Sequence, residues 1–278
     1  MRSIRLLPVA LVALACAKEP APAGAPAEAT PQQVTITATD FGYQLPATPI
    51  HAGLTTVTLV NSGQELHHIQ FYRLTEGKTL ADLTEALKVE GPPPAWAVNA
   101  GGPNGALPGS SANATLVLEP GTYAMLCRIP SPDGKSHLSK GMILGMEVQP
   151  TTEPVAAMPG GDIQMGLFDY GFSMTPPPTA GTHTFVVTNQ AQQPHEVVLV
   201  RLEAGQTMEP WTAWLKGGMQ GPPPGVPFAG ITDINPGQVQ NFTAELAPGT
   251  YGLICFVPDA GDGQPHVFHG MSTTFTVS

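Results

Sequence analysis

Alternating hydrophobic and polar residues divide most of the chain into short predicted β-strands. Runs with a two-residue period occur at residues 34–39, 56–60 and 182–188, and successive side chains of a strand point to opposite faces of a sheet. This pattern predicts an all-β protein built from sandwich or barrel domains. The further predicted strands, all short apolar runs bounded by turn residues, are 69–74, 114–118 and 123–128, the counterparts of these three 128 residues later, 143–148 and 273–277.

The strand pattern occurs twice along the chain. Asp40-Phe-Gly-Tyr43 returns as Asp169-Tyr-Gly-Phe172, and Pro120-Gly-Thr-Tyr123 returns as Pro248-Gly-Thr-Tyr251. Each matched pair is separated by between 128 and 130 residues. A separation this constant indicates two homologous domains in tandem.

The repeat sets the predicted domain boundaries. The first domain is predicted at residues 33–149 and the second at 162–278, and the Pro- and Thr-rich residues 150–161 are predicted to link them. One short inserted helix is predicted in each domain, because apolar residues three and four positions apart line one helix face. These residues are Leu80, Leu83 and Leu87 in the first domain and Met208, Trp211, Trp214 and Leu215 in the second.

The N-terminal residues 1–16 have the pattern of a secretory signal that ends in a lipid-attachment cysteine. Two arginines precede an apolar run at residues 6–15, and small residues lead to Cys16. The residues ending at Cys16 resemble a bacterial lipobox, which predicts lipidation of this cysteine, with plain secretion as the alternative. Residues 17–32 are rich in Pro and Ala and are predicted to form an extended tether. We therefore expect a lipid-anchored protein of the bacterial cell envelope, facing the periplasm or the cell exterior.

Charge and composition narrow the possible partners. The formal net charge is −10 with only 11 Lys and Arg, so the chain lacks the basic surface on which nucleic-acid binding depends. Charged residues make up 12% and hydrophobic residues 42% of the chain, a composition that favours a folded protein over a disordered one. The acidic surface favours a basic protein partner, and nucleic acid is not expected.

A set of metal-ligating residue types recurs in both predicted domains. In the first domain His67 lies upstream of Cys127, which is followed by His137 and then by Met142. Two imidazoles, one thiolate and a weak axial thioether are the ligands of a blue-copper electron-transfer site, since soft sulfur ligands suit Cu(I) and imidazole suits copper generally. The second domain has the same residue types in the same order: His195, Cys255, His266 and Met271.

Alignment of the repeats selects between two neighbouring histidines. His67 aligns with His195, whereas His68 aligns with Glu196, so His67 is the predicted ligand. The loop between the cysteine and the downstream histidine contains a Pro-Asp pair in both domains. We expect this turn to fold each loop back, so that the histidine returns towards the cysteine.

The ligand order and the strand pattern resemble those of the cupredoxin family, which includes plastocyanin and azurin. The resemblance covers both repeats, although the loops between cysteine and histidine are longer than is usual in that family. It implies two Greek-key β-sandwich domains, each with copper near one end, and single-electron transfer. It also implies one type 1-like copper per domain, two in total, held by the residues named above, and a redox partner such as a cytochrome or a membrane oxidoreductase.

Other interpretations of these residues stay open. A buried cysteine is often a structural core residue, and a disulfide between Cys127 and Cys255 is a further alternative. Copper sequestration or delivery, or a metal-free sandwich that mediates contacts, would compete with electron transfer. We do not expect an enzyme, because the eight histidines include no His-x-His pair for a trinuclear copper cluster and neither cysteine has a neighbouring histidine that could join two coppers.

Overall fold

The computed structural model describes residues 30–89, 91–154, 156–218 and 223–278. The predicted signal, Cys16 and most of the predicted tether lie outside these residues. No helix in the described part of the chain is long and apolar enough to cross a membrane.

Each half of the chain contains one short α-helix among many strands, as the sequence predicts. The elements of the first half are β1 Gln32–Thr39, β2 Gly42–Gln44, β3 Ile50–His51, β4 Gly53–Asn61, β5 Gln70–Leu74, α1 Leu80–Ala86, β6 Ala97–Gly101, β7 Ser111–Leu118, β8 Gly121–Leu126 and β9 Ile143–Gln149. Those of the second half are β10 Ile163–Phe168, β11 Gly171–Thr175, β12 Gly181–Asn189, β13 His195–Leu202, α2 Glu209–Lys216, β14 Val226–Ile234, β15 Val239–Leu246, β16 Gly249–Ile254 and β17 Ser272–Val277. Apart from β3, the two halves repeat the same order of elements, so the sequence repeat is also a structural one.

Each half is a β-sandwich made of one sheet of its own and one part of a shared sheet. The first half has the sheet β3-β9-β8-β5-β6, and the second half has the sheet β14-β13-β16-β17. The shared sheet has eight strands in the order β11-β10-β12-β15-β7-β4-β1-β2. The sequence predicts two sandwiches but not this continuous sheet.

The shared sheet is joined where the equivalent strands β7 and β15 run antiparallel. Thr115 pairs with Asn241, and the Asn113 side chain both donates to the Thr243 carbonyl and accepts from the Thr243 amide, each at 2.9 Å. Position 113 is the repeat equivalent of 241, and 115 is the equivalent of 243. The two halves are therefore related at this join by an approximate two-fold axis.

The period-two pattern of the strands produces the core. In β1, Val34, Ile36 and Ala38 are buried while the residues between them face outward. Such one-sided burial on each sheet fills the space between the layers, and one continuous apolar cluster contains core residues of both halves. Smaller clusters include Leu83 of α1 and Trp211 of α2, each with residues of the neighbouring sheet.

Candidate metal centres

The first group of metal-ligating side chains joins three residues that are far apart in sequence. His67 lies just before β5, Cys127 directly follows β8, and His137 follows the long loop. The His67 Nδ1 atom lies 3.1 Å from His137 Nδ1, and Cys127 Sγ lies 3.4 Å from the same His137 nitrogen. All three residues are fully buried. Their donor atoms therefore converge on one interior point.

The second group repeats this arrangement. His195 begins β13, Cys255 directly follows β16, and His266 begins a 3₁₀ turn. The Cys255 Sγ atom lies 3.8 Å from His195 Nδ1 and 3.5 Å from His266 Nδ1. In both groups the three donor atoms lie within 4.8 Å of one another. The structure thus brings together the predicted histidines and cysteine in each half.

The spacing and chemistry of these donors fit a transition-metal ion. Imidazole and thiolate ligands bind such ions at about 2.0–2.3 Å, so ligand atoms around one ion lie roughly 3–4 Å apart. The donor atoms here are separated by 3.1, 3.4, 3.5 and 3.8 Å. Burial lowers the pKa of His266 to about 4, which leaves its ring neutral, as a ligand must be. Burial raises the pKa of Cys127 to about 12, so the thiol is protonated at neutral pH without a metal. Metal binding would displace this proton and leave the thiolate as the ligand.

Met142 and Met271 lie beside the cysteine and histidine of their own groups. The Met142 amide donates to the His137 carbonyl at 2.9 Å, and its carbonyl accepts from the Cys127 amide at 3.2 Å. The corresponding distances for Met271 are 3.0 and 3.3 Å. Both methionines are fully buried. These backbone contacts place each methionine next to its group, and its role as an axial ligand stays a prediction.

The long loop between cysteine and histidine is closed at its base. Pro130 pairs with Ser136 in the first half, and Pro258 pairs with Pro265 in the second. In both halves the amide of the downstream histidine donates, at 2.9 Å, to the carbonyl two residues after the cysteine. The extra residues therefore project as a small hairpin, and the predicted folding back of each loop is confirmed.

Carboxylates hold both histidine rings of the first group from outside. Asp40 Oδ1 lies 2.7 Å from His67 Nε2, and Glu65 Oε2 lies 2.9 Å from His137 Nε2. A carboxylate at Nε2 keeps the ring proton on that nitrogen, so the Nδ1 lone pair points to where the donor atoms converge. The carboxylate also makes the ring a more basic ligand. Neither carboxylate was predicted from the sequence.

The repeated Asp-Phe-Gly-Tyr motif supplies one of these carboxylates in each half. Its second copy supplies Asp169, whose Oδ1 lies 3.0 Å from His195 Nε2, as Asp40 does for the first group. The next residue of the motif, Phe41 or Tyr170, places its ring 4.9 or 5.6 Å from the downstream histidine ring. From the sequence, this motif indicated only a repeat. In the structure its aspartate and aromatic residue also contact the histidines of both donor groups.

The downstream histidine of the second group has a different environment. His266 Nε2 has no hydrogen-bond partner among the described residues, because the nearest carboxylate, Asp259, lies 3.7 Å away. Asp259 instead accepts from the Tyr170 hydroxyl at 2.6 Å and from Gln193 at 2.9 Å. Gln193 occupies the position that Glu65 has in the first half. The two groups therefore share their inner donors but differ in the residues around them.

His68 and Glu196 lie outside the two donor groups. His68 Nε2 accepts from the Arg128 amide at 2.9 Å, and Glu196 Oε1 accepts from the Phe256 amide at the same distance. The structure places His67, not His68, with the other donors, as the alignment of the repeats predicts.

The disulfide alternative is wrong. Cys127 and Cys255 are both free and buried, and each contacts the histidines of its own half.

Solved structures similar to the chain include small copper proteins. No protein-family model and no curated protein sequence matches it. Auracyanin from the photosynthetic bacterium Roseiflexus castenholzii is 26% identical over 44% of this chain and 100% of its own, with a TM-score of 0.31. Auracyanin B is 24% identical over 46% of this chain and 95% of its own, with a TM-score of 0.31. The two β-sandwich halves, each with a buried His-Cys-His group, give the chain a cupredoxin-like fold.

The prediction that the chain is not an enzyme is wrong. Among the matching structures, a multicopper oxidase is 16% identical over 88% of both chains, with a TM-score of 0.26. A copper nitrite reductase from Nitrosomonas europaea is 11% identical over 90% of this chain and 94% of its own, with a TM-score of 0.26. The absence of sequence motifs for two kinds of copper cluster does not exclude catalysis of another kind. Similarity at this level assigns no activity to the chain.

Proposed function

We propose that each half of the chain binds one copper ion and that the protein carries single electrons. The observation that supports this most strongly is the buried convergence of two imidazole Nδ1 atoms and one thiol in each half. The proposed ligands are His67, Cys127, His137 and the axial Met142 in the first half, and His195, Cys255, His266 and the axial Met271 in the second.

The residues around each group are suited to fast electron exchange. A bound copper ion supplies the one-electron couple. Asp40, Glu65 and Asp169 hold three of the histidine rings in one orientation, and the fully buried cysteines lie within the apolar core. A ligand set held this firmly moves little when the charge at its centre changes, which favours rapid transfer.

We further propose a location and a partner for this activity. Lipidation of Cys16 would anchor the protein in the bacterial cell envelope, which the apolar run before this cysteine supports. The net charge of −10 supports electrostatic attraction of a basic redox partner, such as a cytochrome or a membrane oxidoreductase.

Copper loading of the full chain tests the proposal. We expect Cu(II) to bind at two per chain and to produce an intense thiolate-to-copper absorption band, with a matching EPR signal. Cys127→Ser and Cys255→Ser should each remove one copper and its part of the band, because each removes one thiolate ligand. Cys16→Ser is the matched control and should keep both coppers.

The outcomes separate the competing functions. A chain that binds no copper contradicts the proposal. Tight Cu(I) binding without a reversible one-electron couple would contradict electron transfer and would support copper sequestration or delivery instead.

A further inference from the structure

A buried polar bridge connects the two donor groups across the boundary between the halves. Its members are His68 from the first half, Asn104 from the loop before β7, and Glu196 from the second half. These side chains are 9, 3 and 5% exposed.

The first leg of the bridge runs from Cys127 to Asn104. The peptide bond links Cys127 to Arg128, whose amide donates to His68 Nε2 at 2.9 Å. The peptide bond links His68 to Ile69, whose amide donates to the Pro103 carbonyl at 3.0 Å. Asn104 is the next residue after Pro103.

The second leg runs from Asn104 to Cys255. The Asn104 Nδ2 atom donates to Glu196 Oε2 at 3.1 Å, and the other carboxyl oxygen, Oε1, accepts from the Phe256 amide at 2.9 Å. The peptide bond links Phe256 to Cys255. The Glu196 amide also donates directly to Cys255 Sγ at 3.5 Å. Covalent bonds and hydrogen bonds thus form a continuous path between the two cysteines.

Stability alone does not explain these residues. Polar groups buried in this way cost free energy, and well-packed apolar residues of similar size often replace them without loss of stability. A continuous series of bonds, in contrast, couples two redox centres better than apolar packing with gaps between the atoms.

We infer that the His68–Asn104–Glu196 bridge carries electrons between the two copper centres, an inference that rests on the proposed function. One electron leaves the Cu(I) centre of one half and reduces the Cu(II) centre of the other, so each transfer oxidises one ion and reduces one. No bond breaks, no proton moves, and no further reactant is consumed. The chain is then a two-centre relay within one molecule.

Pulse radiolysis of the copper-loaded full chain tests the bridge. With both centres as Cu(II), a diffusing one-electron radical reductant is generated at a concentration well below that of the protein. Cys127→Ser and Cys255→Ser, which each keep one centre, supply reference absorption and EPR spectra. We expect a redistribution phase whose rate does not depend on protein concentration in the native chain and no such phase in the single-centre proteins.

Two substitutions interrupt the bridge at different places. Asn104→Leu, of nearly equal size, removes the hydrogen bond to Glu196, and His68→Phe removes the one from the Arg128 amide. Each should slow the redistribution phase by an order of magnitude or more, while spectroelectrochemistry shows unchanged potentials at both centres. Asn113→Leu is the matched control, because this asparagine also makes two hydrogen bonds between the halves but lies outside the bridge. It should leave the redistribution rate unchanged.

The outcomes for the bridge and for the copper function are distinct. Absence of copper or of reversible potentials overturns the proposed function. Two working centres without a concentration-independent phase, or a phase that neither bridge substitution slows, overturn the bridge alone. If Asn104→Leu fails to fold, His68→Phe decides the question by itself.

Discussion

Glu65 and Gln193 occupy the same position in the two halves but act differently on the nearby histidine. Glu65 accepts a hydrogen bond from His137 at 2.9 Å, whereas Gln193 binds Asp259 and leaves His266 Nε2 without a partner in the described part of the chain. A carboxylate on the outer nitrogen stabilises Cu(II), because it places negative charge next to the more positive ion. We therefore expect the two centres to differ in affinity and in potential.

Glu65→Gln should weaken Cu(II) binding at the first centre. Loss of an outer carboxylate typically costs about 10–100-fold in metal affinity, and the potential of the centre should rise because the oxidised form loses more stabilisation. The measurement is a competition titration against a chromophoric chelator in Cys255→Ser protein, where only the first centre remains. Glu85→Gln is the control, since this exposed carboxylate pairs only with Lys88. Equal affinities for the Glu65 and Glu85 variants would contradict the expectation.

At the residue scale, the histidines and cysteines of the donor groups could be predicted, but the carboxylates that hold the histidine rings could not. Ligand types are few and recur at matched positions, so His67, Cys127 and His137 were visible as a set. Asp40 and Glu65 are common surface residue types, and only the fold shows that they reach the histidines. The difference between His68 and Glu196 was visible in the alignment, but nothing in the sequence shows that Glu196 hydrogen-bonds Asn104.

At the scale of elements, the predicted strands were those with a clear two-residue alternation. β1, β4 and β12 are confirmed at nearly the predicted bounds. β6 and β14, which lie along the boundary between the halves, were missed because neither has a clear hydrophobic–polar alternation in its sequence. β14, for example, has four consecutive buried residues and contains both Pro and Gly, which are unfavourable signs for a strand.

A glycine allows each missed strand to pass close to its neighbour. Gly102 and Gly230 are equivalent, with φ of +138 and +134 degrees. A Cβ atom at either position would collide with a backbone carbonyl oxygen, that of Ile69 or Val197. Both strain and collision therefore oppose any side chain here.

Gly230→Ala should destabilise the folded chain. We expect a loss of at least about 1–3 kcal/mol in the free energy of unfolding, the usual range for one residue forced into such a backbone conformation. Urea unfolding followed by circular dichroism measures it. Gly160→Ala is the control, because no atom lies near its added Cβ and its φ is ordinary. Equal stability of the two variants would contradict this explanation.

The hairpin that follows Cys127 should be dispensable for metal binding. Because Pro130 and Ser136 already close its base, replacing residues 131–135 by Asn-Gly, which favours a two-residue hairpin turn, should leave the copper absorption of the first centre unchanged. The same replacement with Ser136 also removed breaks the closing pair and should diminish that absorption. Loss of copper in the first variant would show that the loop tip itself supports the centre.

At the scale of the whole molecule, the two halves behave as one structural unit. They share an eight-stranded sheet and one apolar core cluster. The sequence repeat predicted two similar sandwiches, but it could not predict how they dock. Docking depends on contacts between the repeats, such as that of Asn113 with Thr243, which leave no pattern within either one.

Thermal unfolding of the metal-free chain should therefore show a single transition. Separation of the halves would expose the hydrogen-bonding edges of β7 and β15 together with apolar core, so neither half should stay folded when the other unfolds. Differential scanning calorimetry should give equal calorimetric and van't Hoff enthalpies, the test of two-state unfolding. Two resolved transitions would show that the halves are independent.

The approximate two-fold join also bears on the bridge. Equivalent strands that pair in this way would also pair in a dimer of identical single-domain chains, since such a dimer buries the same patch on both partners. In that dimer, positions 68 and 196 would have to be the same amino acid. A histidine on one side of Asn104 and a glutamate on the other therefore require two halves of different sequence in one chain. Joining the halves frees the bridge from the identity that a symmetric dimer would impose on its two ends.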